Sequence, residues 1–411
     1  MVTMTREDAV ARDLADPLAP LRNRFELPDG LIYLDGNSLG PLPIGVRDRV
    51  AAVVAEEWGT DLIASWNIHD WIGLPARVGD KIAPLIGAAR KSVIAGDSTS
   101  VQLFKLLVAA TRLLPDRHVI VTDAVMFPTD SYIAASAAQM TGCEIRWCEP
   151  SDVEASLDED VAVLALTHVD YRSGWIHDAA ALTAAAHAVG ALACWDLCHS
   201  VGAMPVELAQ WDADLAVGCG YKHLNGGPGA PAFAYVHPRW HDVLDQPLTG
   251  WLGHAEPFAF EPTYRPAAGM ARVQTGTPAV LSMSALDAAL DAFAGVSMAE
   301  LRAKSLALTD LFIALADERL RAYGVSVEAP REHSRRGSQV CLRHTEAYGL
   351  VQALIGRGVV GDFRAPDLAR FGLAPMYTRF VDVWDAVDAA ATVLETGAFT
   401  HPEYTTRRLV T

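Results

Sequence analysis

Along the middle of the chain, short β-branched apolar runs alternate with longer alanine-rich stretches of helical character. "HVIVTD" (His118 to Asp123), "VAVLALTHV" (Val161 to Val169), "ALACWD" (Ala191 to Asp196), "DLAVGCG" (Asp214 to Gly220) and "APAFAYVH" (Ala230 to His237) predict strands. Strands alternating with helices predict a mostly parallel sheet wrapped on both faces. Between the second and third runs, "HDAAALTAAAHAVG" places Asp178 to cap a helix start and Gly190 to close its end, which completes a βαβ unit.

From about Met283 the pattern changes to one long helical stretch running to "ERLRAYG". Short strands in "SQVCLRH" and "VVGDFRA" follow, then a last helix near Val381 to Thr396. This predicts an α/β protein in two parts, with a smaller α+β domain hinged on the long helix. The expected division is a segment 1–50 that joins the small domain, a large domain over 51–281 and a small domain over 282–411. No internal repeat is visible.

The length of 411 residues suits one large α/β domain plus a smaller one, and the net charge of −17 disfavours nucleic acid and anionic membranes as partners. The opening "MVTMTREDAVARDLADPLAP" has acids and no apolar core, so no signal peptide is expected, and no later run is long enough to span a bilayer. A soluble, cytoplasmic protein is the expectation. Six cysteines (Cys143, Cys148, Cys194, Cys198, Cys219 and Cys341) lack paired metal spacing and read as buried thiols of a reducing compartment. "CWDLCHS" has no second pair to answer it, so no metal is expected.

Open parallel sheets bind ligands at the carboxyl ends of their strands. The residues there are Asp123, Thr167, Asp196 and Lys222, the last within "GYKHLNGGPG". Viewed alone, a lysine in a glycine loop points into water and an aspartate after a strand caps a helix. Together, an acid and an amine at the ends of consecutive strands suit pyridoxal phosphate, whose aldehyde condenses with a lysine and whose ring nitrogen must keep a proton. "AGDSTSVQLFKLL" offers a helix start for the phosphate, with hydroxyls from Thr99 and Ser100. Phe127 in "MFPTD" is an aromatic face for the ring or an ordinary core residue, and Asp130 follows three positions on.

Ten segments in one order carry a resemblance over nearly the whole chain: "YLDGNSLGPLP", "EEWGTDLIASW", "DSTSVQLFKLL", "FPTD", "LTHVDYRSGW", "WDLCHSVGA", "GCGYKHLNGGPGAP", "GWLGH", "QTGTP" and "RFGLAPMYTRFVDVWDAV". The chain resembles the fold-type I pyridoxal-phosphate enzymes, and within them the kynureninase family. That resemblance implies a seven-stranded, mostly parallel sheet. It makes Lys222 the cofactor-linking amine and catalytic base, with Asp196 on the ring nitrogen and Phe127 on the ring face near Asp130. His199 and Thr167 line the pocket, while Thr99, Ser100 and Tyr221 reach the phosphate, Tyr221 doubling as a proton donor or phosphate ligand. Trp251 and Thr277 reach the neighbouring subunit's phosphate, which implies a homodimer with shared sites. Arg370 grips the substrate carboxylate, and Ser38 and Trp66 stand at the substrate end.

The implied activity is hydrolysis of the Cβ–Cγ bond of L-kynurenine, to anthranilate and L-alanine, in tryptophan catabolism or NAD biosynthesis. Some relatives carry asparagine at Thr277, and some a histidine near Trp66, where His69 is the nearest here. Preference for plain or ring-hydroxylated kynurenine is therefore open. The rival readings are an aminotransferase or cysteine desulfurase on the same fold, the latter needing a mobile cysteine such as Cys341, and a cofactor-binding protein without turnover.

Overall fold

A computed structural model describes residues 4–408. Its main sheet has seven strands: β1 (Val93–Gly96), β2 (Val119–Asp123), β3 (Glu144–Cys148), β4 (Val161–Thr167), β5 (Leu192–Asp196), β6 (Leu215–Cys219) and β7 (Ala232–Val236). They lie in the order β1-β7-β6-β5-β4-β2-β3. Strands β2 to β6 pair in parallel, and β7 runs antiparallel to both β6 and β1.

The five runs picked out by apolar pattern are the five inner strands, each buried along its whole length. Both edge strands escaped that pattern, β3 for a physical reason. β3 reads "EIRWC", its first four residues exposed or half-exposed because only one neighbour covers it.

Five helices matter for the site and its frame: α1 (Thr99–Leu113), α2 (Pro128–Thr141), α3 (Ala179–Ala188), α4 (Val280–Ala289) and α5 (Met298–Arg319). Helix α3 is the crossover of the predicted βαβ unit. Asp178 accepts the Ala181 N–H at 3.0 Å and Gly190 takes φ +80, as the sequence indicates.

The single long helix expected after Met283 is two helices. α4 ends in a 3₁₀ turn, Leu290–Phe293, and the axis then bends by 84° into α5. Gly295 supplies the left-handed backbone (φ +71), and Ser297 caps α5 by accepting the Glu300 N–H at 3.3 Å. The stop and start signals of "AGVS" lie inside an apolar pattern that otherwise continues through them. No single helix among the described residues is long and apolar enough to cross a membrane.

Helix α5 begins in one core and ends in another. Leu301 packs with the main sheet, whereas Leu308, Leu315 and Leu320 pack with the smaller sheet. That sheet comprises β8 (Ser326–Val327), β9 (Gln339–Arg343), β10 (Asp362–Arg364) and β11 (Leu368–Gly372), ordered β8-β9-β11-β10 and antiparallel throughout. The N-terminal segment serves both cores. Asp13 caps the last long helix, Phe380–Thr396, at the Phe380 and Val381 N–H groups (2.6 and 2.9 Å), while Leu18, Leu21 and Phe25 lie in the large core.

The stretch "YLDGNSLG" bridges the two sheets. Ile32–Tyr33 pairs in parallel with Val359–Val360, Asp35 bridges Gly372, and Gly40 donates to the Tyr221 carbonyl at 2.8 Å. A Cβ on Gly40 would overlap Asn225 and the Lys222 carbonyl, so only glycine lets this segment lie against the lysine loop.

Candidate active site

The parallel register sets the frame: Thr167 pairs with Asp196, so β4 and β5 end level, and Asp196 pairs with Val217, so β6 runs on past them to Cys219. The loop after β6 carries Lys222 back over those ends. It is fixed by the Asn225 N–H on the Lys222 carbonyl (2.9 Å) and the Gly226 N–H on the Gly220 carbonyl (2.8 Å).

Lys222 Nζ lies 3.0 Å from His199 Nε2. Burial, and after it the charge of Lys222, holds the His199 imidazole well below its usual range, so the ring is neutral and its Nε2 accepts from the amine. The other ring nitrogen, Nδ1, is buried with no protein partner. A buried polar atom left that way costs on the order of 1–3 kcal/mol, and a bound group that supplies a partner removes the penalty.

Two carboxyls meet at the floor of the pocket. Asp196 ends β5 and accepts the Cys198 N–H at 2.6 Å. Asp130, in the first turn of α2, is hydrogen-bonded to Asp196 and accepts the Thr167 hydroxyl at 3.2 Å. Burial, and then the Asp196 charge, pushes the Asp130 carboxyl well above the usual range, which favours its protonated form beside Asp196. The pair can hold a proton on a ring nitrogen placed between them and the solvent side.

Phe127 caps α2 with its ring left 38% exposed, 5.9 Å from Lys222 Nζ and edge-on to Tyr171 at 5.1 Å. Ordinary core packing does not describe it; the ring is an open face beside the amine. Asp123, the other strand-end acid, is instead occupied with His177 at 3.0 Å and the Val125 N–H at 2.8 Å.

The start of α1 lies at the same end of the sheet. The residue that caps it is Ser98, whose hydroxyl accepts the Val101 N–H at 3.4 Å; Thr99 and Ser100 occupy the first turn. Thr99 Oγ1 is 3.8 Å from Cys198 Sγ, which ties this turn to the residues after Asp196. Lys105, wholly buried on α1, binds Asp97 (2.7 Å), the Val273 carbonyl (2.5 Å) and Thr275 (3.3 Å). It joins the loop before α1 to the "QTGTP" segment. Tyr221, half-buried, keeps its hydroxyl proton: burial first, then Cys219 and Cys198, raise it above the usual range.

On the small-domain side, Arg370 is almost wholly buried. Its Nε and Nη2 donate to the two oxygens of Asp362 (2.8 and 2.5 Å), Nη2 also to Ser38 Oγ (2.8 Å), and Nη1 to the Tyr171 carbonyl (2.6 Å). Asp362 stands directly opposite Arg370 in the β10–β11 register. Arg364 binds Asp362 as well, at 2.5 Å.

Trp66, Trp251 and Thr277 form other groups on the same chain. Trp66 packs edge-on to Trp71 and Trp251 (6.0 and 6.1 Å), and Trp251 continues to the exposed Phe258 (5.7 Å). His69 pairs with Asp61 at 2.7 Å. Thr277 is exposed, lining with Asp97, Ser98 and Gln102 a cavity of about 250 Å³.

Asp362, Arg364, Tyr171, Ser98 and Lys105 were not among the residues singled out from the sequence. "VVGDFRA" held a usable signal, because strand periodicity puts Asp362 and Arg364 on one face. Cys341 is fully buried with its thiol on the Arg172 carbonyl, and burial raises it above the usual thiol range. A mobile nucleophile it is not. Cys143 alone of the six cysteines is partly exposed.

The chain is 49% identical to the kynureninase of Pseudomonas fluorescens over 414 residues, covering 99% of this chain and all of that one. Among solved structures, the cysteine desulfurase CsdA of Escherichia coli matches with a TM-score of 0.78 at 19% identity, over 92% of this chain and 98% of that one. A C-DES mutant with glycine linked to its PLP cofactor matches at 0.77 and 16% identity, over 90% and 98%. These two establish a shared fold, that of the fold-type I PLP enzymes. The profile of the kynureninase C-terminal domain matches residues 301–390. With near-complete coverage at that identity, the chain belongs to the kynureninase family.

Proposed function

We propose that this protein is a pyridoxal-phosphate-dependent hydrolase that cleaves the Cβ–Cγ bond of L-kynurenine, giving anthranilate and L-alanine. The observation that carries the reading is the convergence of Lys222, His199, Asp130 and Asp196 at the ends of β5 and β6 in a chain of this family. The donor set fits the cofactor: an amine for its aldehyde, a carboxyl pair for its ring nitrogen, an open Phe127 ring for its face, and the hydroxyls of the α1 first turn for its phosphate. The unpartnered His199 Nδ1 is the buried atom such a group would complete.

The cofactor, when bound, supplies an electron sink for the negative charge left on carbon. Lys222 would hold it covalently and, once released, would take the proton from the substrate Cα. The neutral His199 orients the amine by accepting one of its N–H bonds. Asp196, with Asp130 hydrogen-bonded behind it, would keep the ring nitrogen protonated, and Thr167 fixes Asp130. Tyr221 retains its proton and so is a donor near the phosphate end. Arg370 meets the substrate carboxylate, held in place by Asp362, Ser38 and the Tyr171 carbonyl. One water is consumed, its oxygen going to the anthranilate carboxyl and its proton balance to the alanine methyl.

The exposed Trp251 and Thr277 support a homodimer in which each subunit completes the other's phosphate site, with Trp66 at the aryl end of the substrate. The large body over 51–281, the small domain over 282–411, a cytoplasmic setting and a place in tryptophan breakdown or NAD synthesis belong to the same reading. Mixing the holoenzyme with L-kynurenine and following anthranilate fluorescence tests it. Sulfide from cysteine would favour a desulfurase, and a yellow protein inert to both would favour a binding protein.

A further inference from the structure

We propose that Arg364 is a second carboxylate-binding residue of this site, closing with Arg370 a two-arginine clamp on the α-carboxylate of the substrate. The inference rests on the reading of the site as a kynurenine hydrolase.

A guanidinium has five N–H groups, and Arg370 commits four of them to Asp362, Ser38 and the Tyr171 carbonyl. Its Nε/Nη2 edge, the better fork for a carboxylate, is closed by Asp362. One Nη1–H remains, which serves one carboxylate oxygen. The second oxygen needs a donor from elsewhere.

Arg364 is placed to give it. Its Nη2 shares Asp362 Oδ2 with Arg370 (2.5 Å for each) and lies 3.3 Å from Ser38 Oγ, so the two guanidiniums flank one carboxylate and one hydroxyl. Its Nε–H is buried with no acceptor, an unmet donor in a cluster otherwise saturated with hydrogen bonds. Unlike Arg370, its side chain is 31% exposed, so part of it stays open to an incoming ligand. The charges of both arginines reach the His199 imidazole, and that ring touches Lys222. The backbone places the cluster beside the amine as well, since Ser38 lies two residues before Gly40, whose N–H donates to the carbonyl of Tyr221, the neighbour of Lys222.

Charge balance agrees. The two arginines face Asp362 and Asp35, and the Asp35 carboxyl is pushed up to about 7 by burial and then by Asp362. Near neutral pH the cluster keeps residual positive charge, which a substrate carboxylate neutralises.

The test uses the holoenzyme and two ligands, L-kynurenine and kynuramine, which is the same molecule without the carboxylate. Arg364→Met is expected to raise KM for L-kynurenine by roughly 10- to 100-fold, the range for losing a hydrogen bond to a charged group, with kcat lowered less than about threefold. Kynuramine inhibition should stay within about twofold of wild type, and Arg364→Lys should recover part of the loss, keeping charge without the planar donors. An unchanged KM, or equal weakening of both ligands as from a merely structural role, overturns the clamp. If wild type itself fails to turn over L-kynurenine, the proposed function fails, and the clamp with it; turnover by wild type with an unaffected Arg364→Met overturns the clamp alone.

Discussion

Asp362 faces Arg370 across the β10–β11 pair, and the two side chains meet through hydrogen bonds of 2.8 and 2.5 Å, both groups almost wholly buried. Removing the anion leaves a buried guanidinium with only a hydroxyl and a carbonyl. Asp362→Asn should therefore destabilise the protein by about 3 kcal/mol and raise KM for L-kynurenine about tenfold or more, because the arginine loses both its counter-ion and its fixed orientation. Urea unfolding and steady-state kinetics check the two effects. A stable variant with wild-type KM would show that the pair positions nothing.

The carboxyls at the floor of the pocket are unequal. Burial and the Asp196 charge favour the protonated form of Asp130, so Asp130→Asn puts a neutral donor of similar shape in its place. It should keep activity within about tenfold, whereas Asp196→Asn should lower kcat by at least about a hundredfold, the scale of a lost acid–base partner. The reverse order of severity would mean the proton resides on Asp196.

Asp35 has the opposite consequence for stability from a salt-bridged carboxylate. Its folded pKa is about 7 against an ordinary value near 3.8, raised by burial first and then by Asp362, with Ser38, Arg370 and Arg364 pulling the other way and Tyr33 beside it. A carboxyl raised on folding binds more protons in the folded state, so its contribution is present below about pH 4 and is lost as pH rises to about 7. Asp35→Asn, which stays neutral, should gain in melting temperature relative to wild type between pH 5 and pH 8. A constant difference across that range would place the titration elsewhere.

Shared sites predict complementation. Lys222→Ala lacks the amine, and Trp251→Ala lacks only what one subunit lends the other. Each should be nearly inactive alone and sediment at twice 44.1 kDa, and an unfolded-and-refolded equal mixture should regain roughly a quarter of wild-type activity from heterodimers with one whole site. No recovery, with both variants dimeric, would put Trp251 in its own subunit's site.

The sheet's interior and the ends of its strands were legible in the sequence because burial on both faces leaves near-continuous apolar runs, in the antiparallel β7 as in its parallel neighbours, and the parallel ones end where chemistry sits. Asp196, Lys222 and Thr167 were found that way, and the structure sets them at one edge. His199 needed the family resemblance, and Asp130 stood out only as a polar residue three positions after Phe127, since nothing in the spacing reveals that α2 turns it onto Asp196. The bend at Gly295 was missed because helical periodicity on its two sides is continuous. Arg370 stood out by resemblance, but its partners Asp362 and Arg364 did not, because antiparallel register is a property of two strands and their turn, not of either strand alone. The capping serine at 98 lay one residue before the hydroxyls that were chosen, within the usual uncertainty of a helix start.

The central claim is that the Lys222 amine, facing His199 at the end of β6, performs the chemistry on L-kynurenine. Anthranilate release by wild type and by Lys222→Arg, at equal protein and saturating pyridoxal phosphate, tests it most directly. The account predicts steady turnover by wild type and a loss of about a thousandfold or more in the variant, since arginine keeps the charge but neither condenses with the aldehyde nor takes the Cα proton. Turnover by Lys222→Arg within tenfold of wild type, or none by wild type, would contradict it.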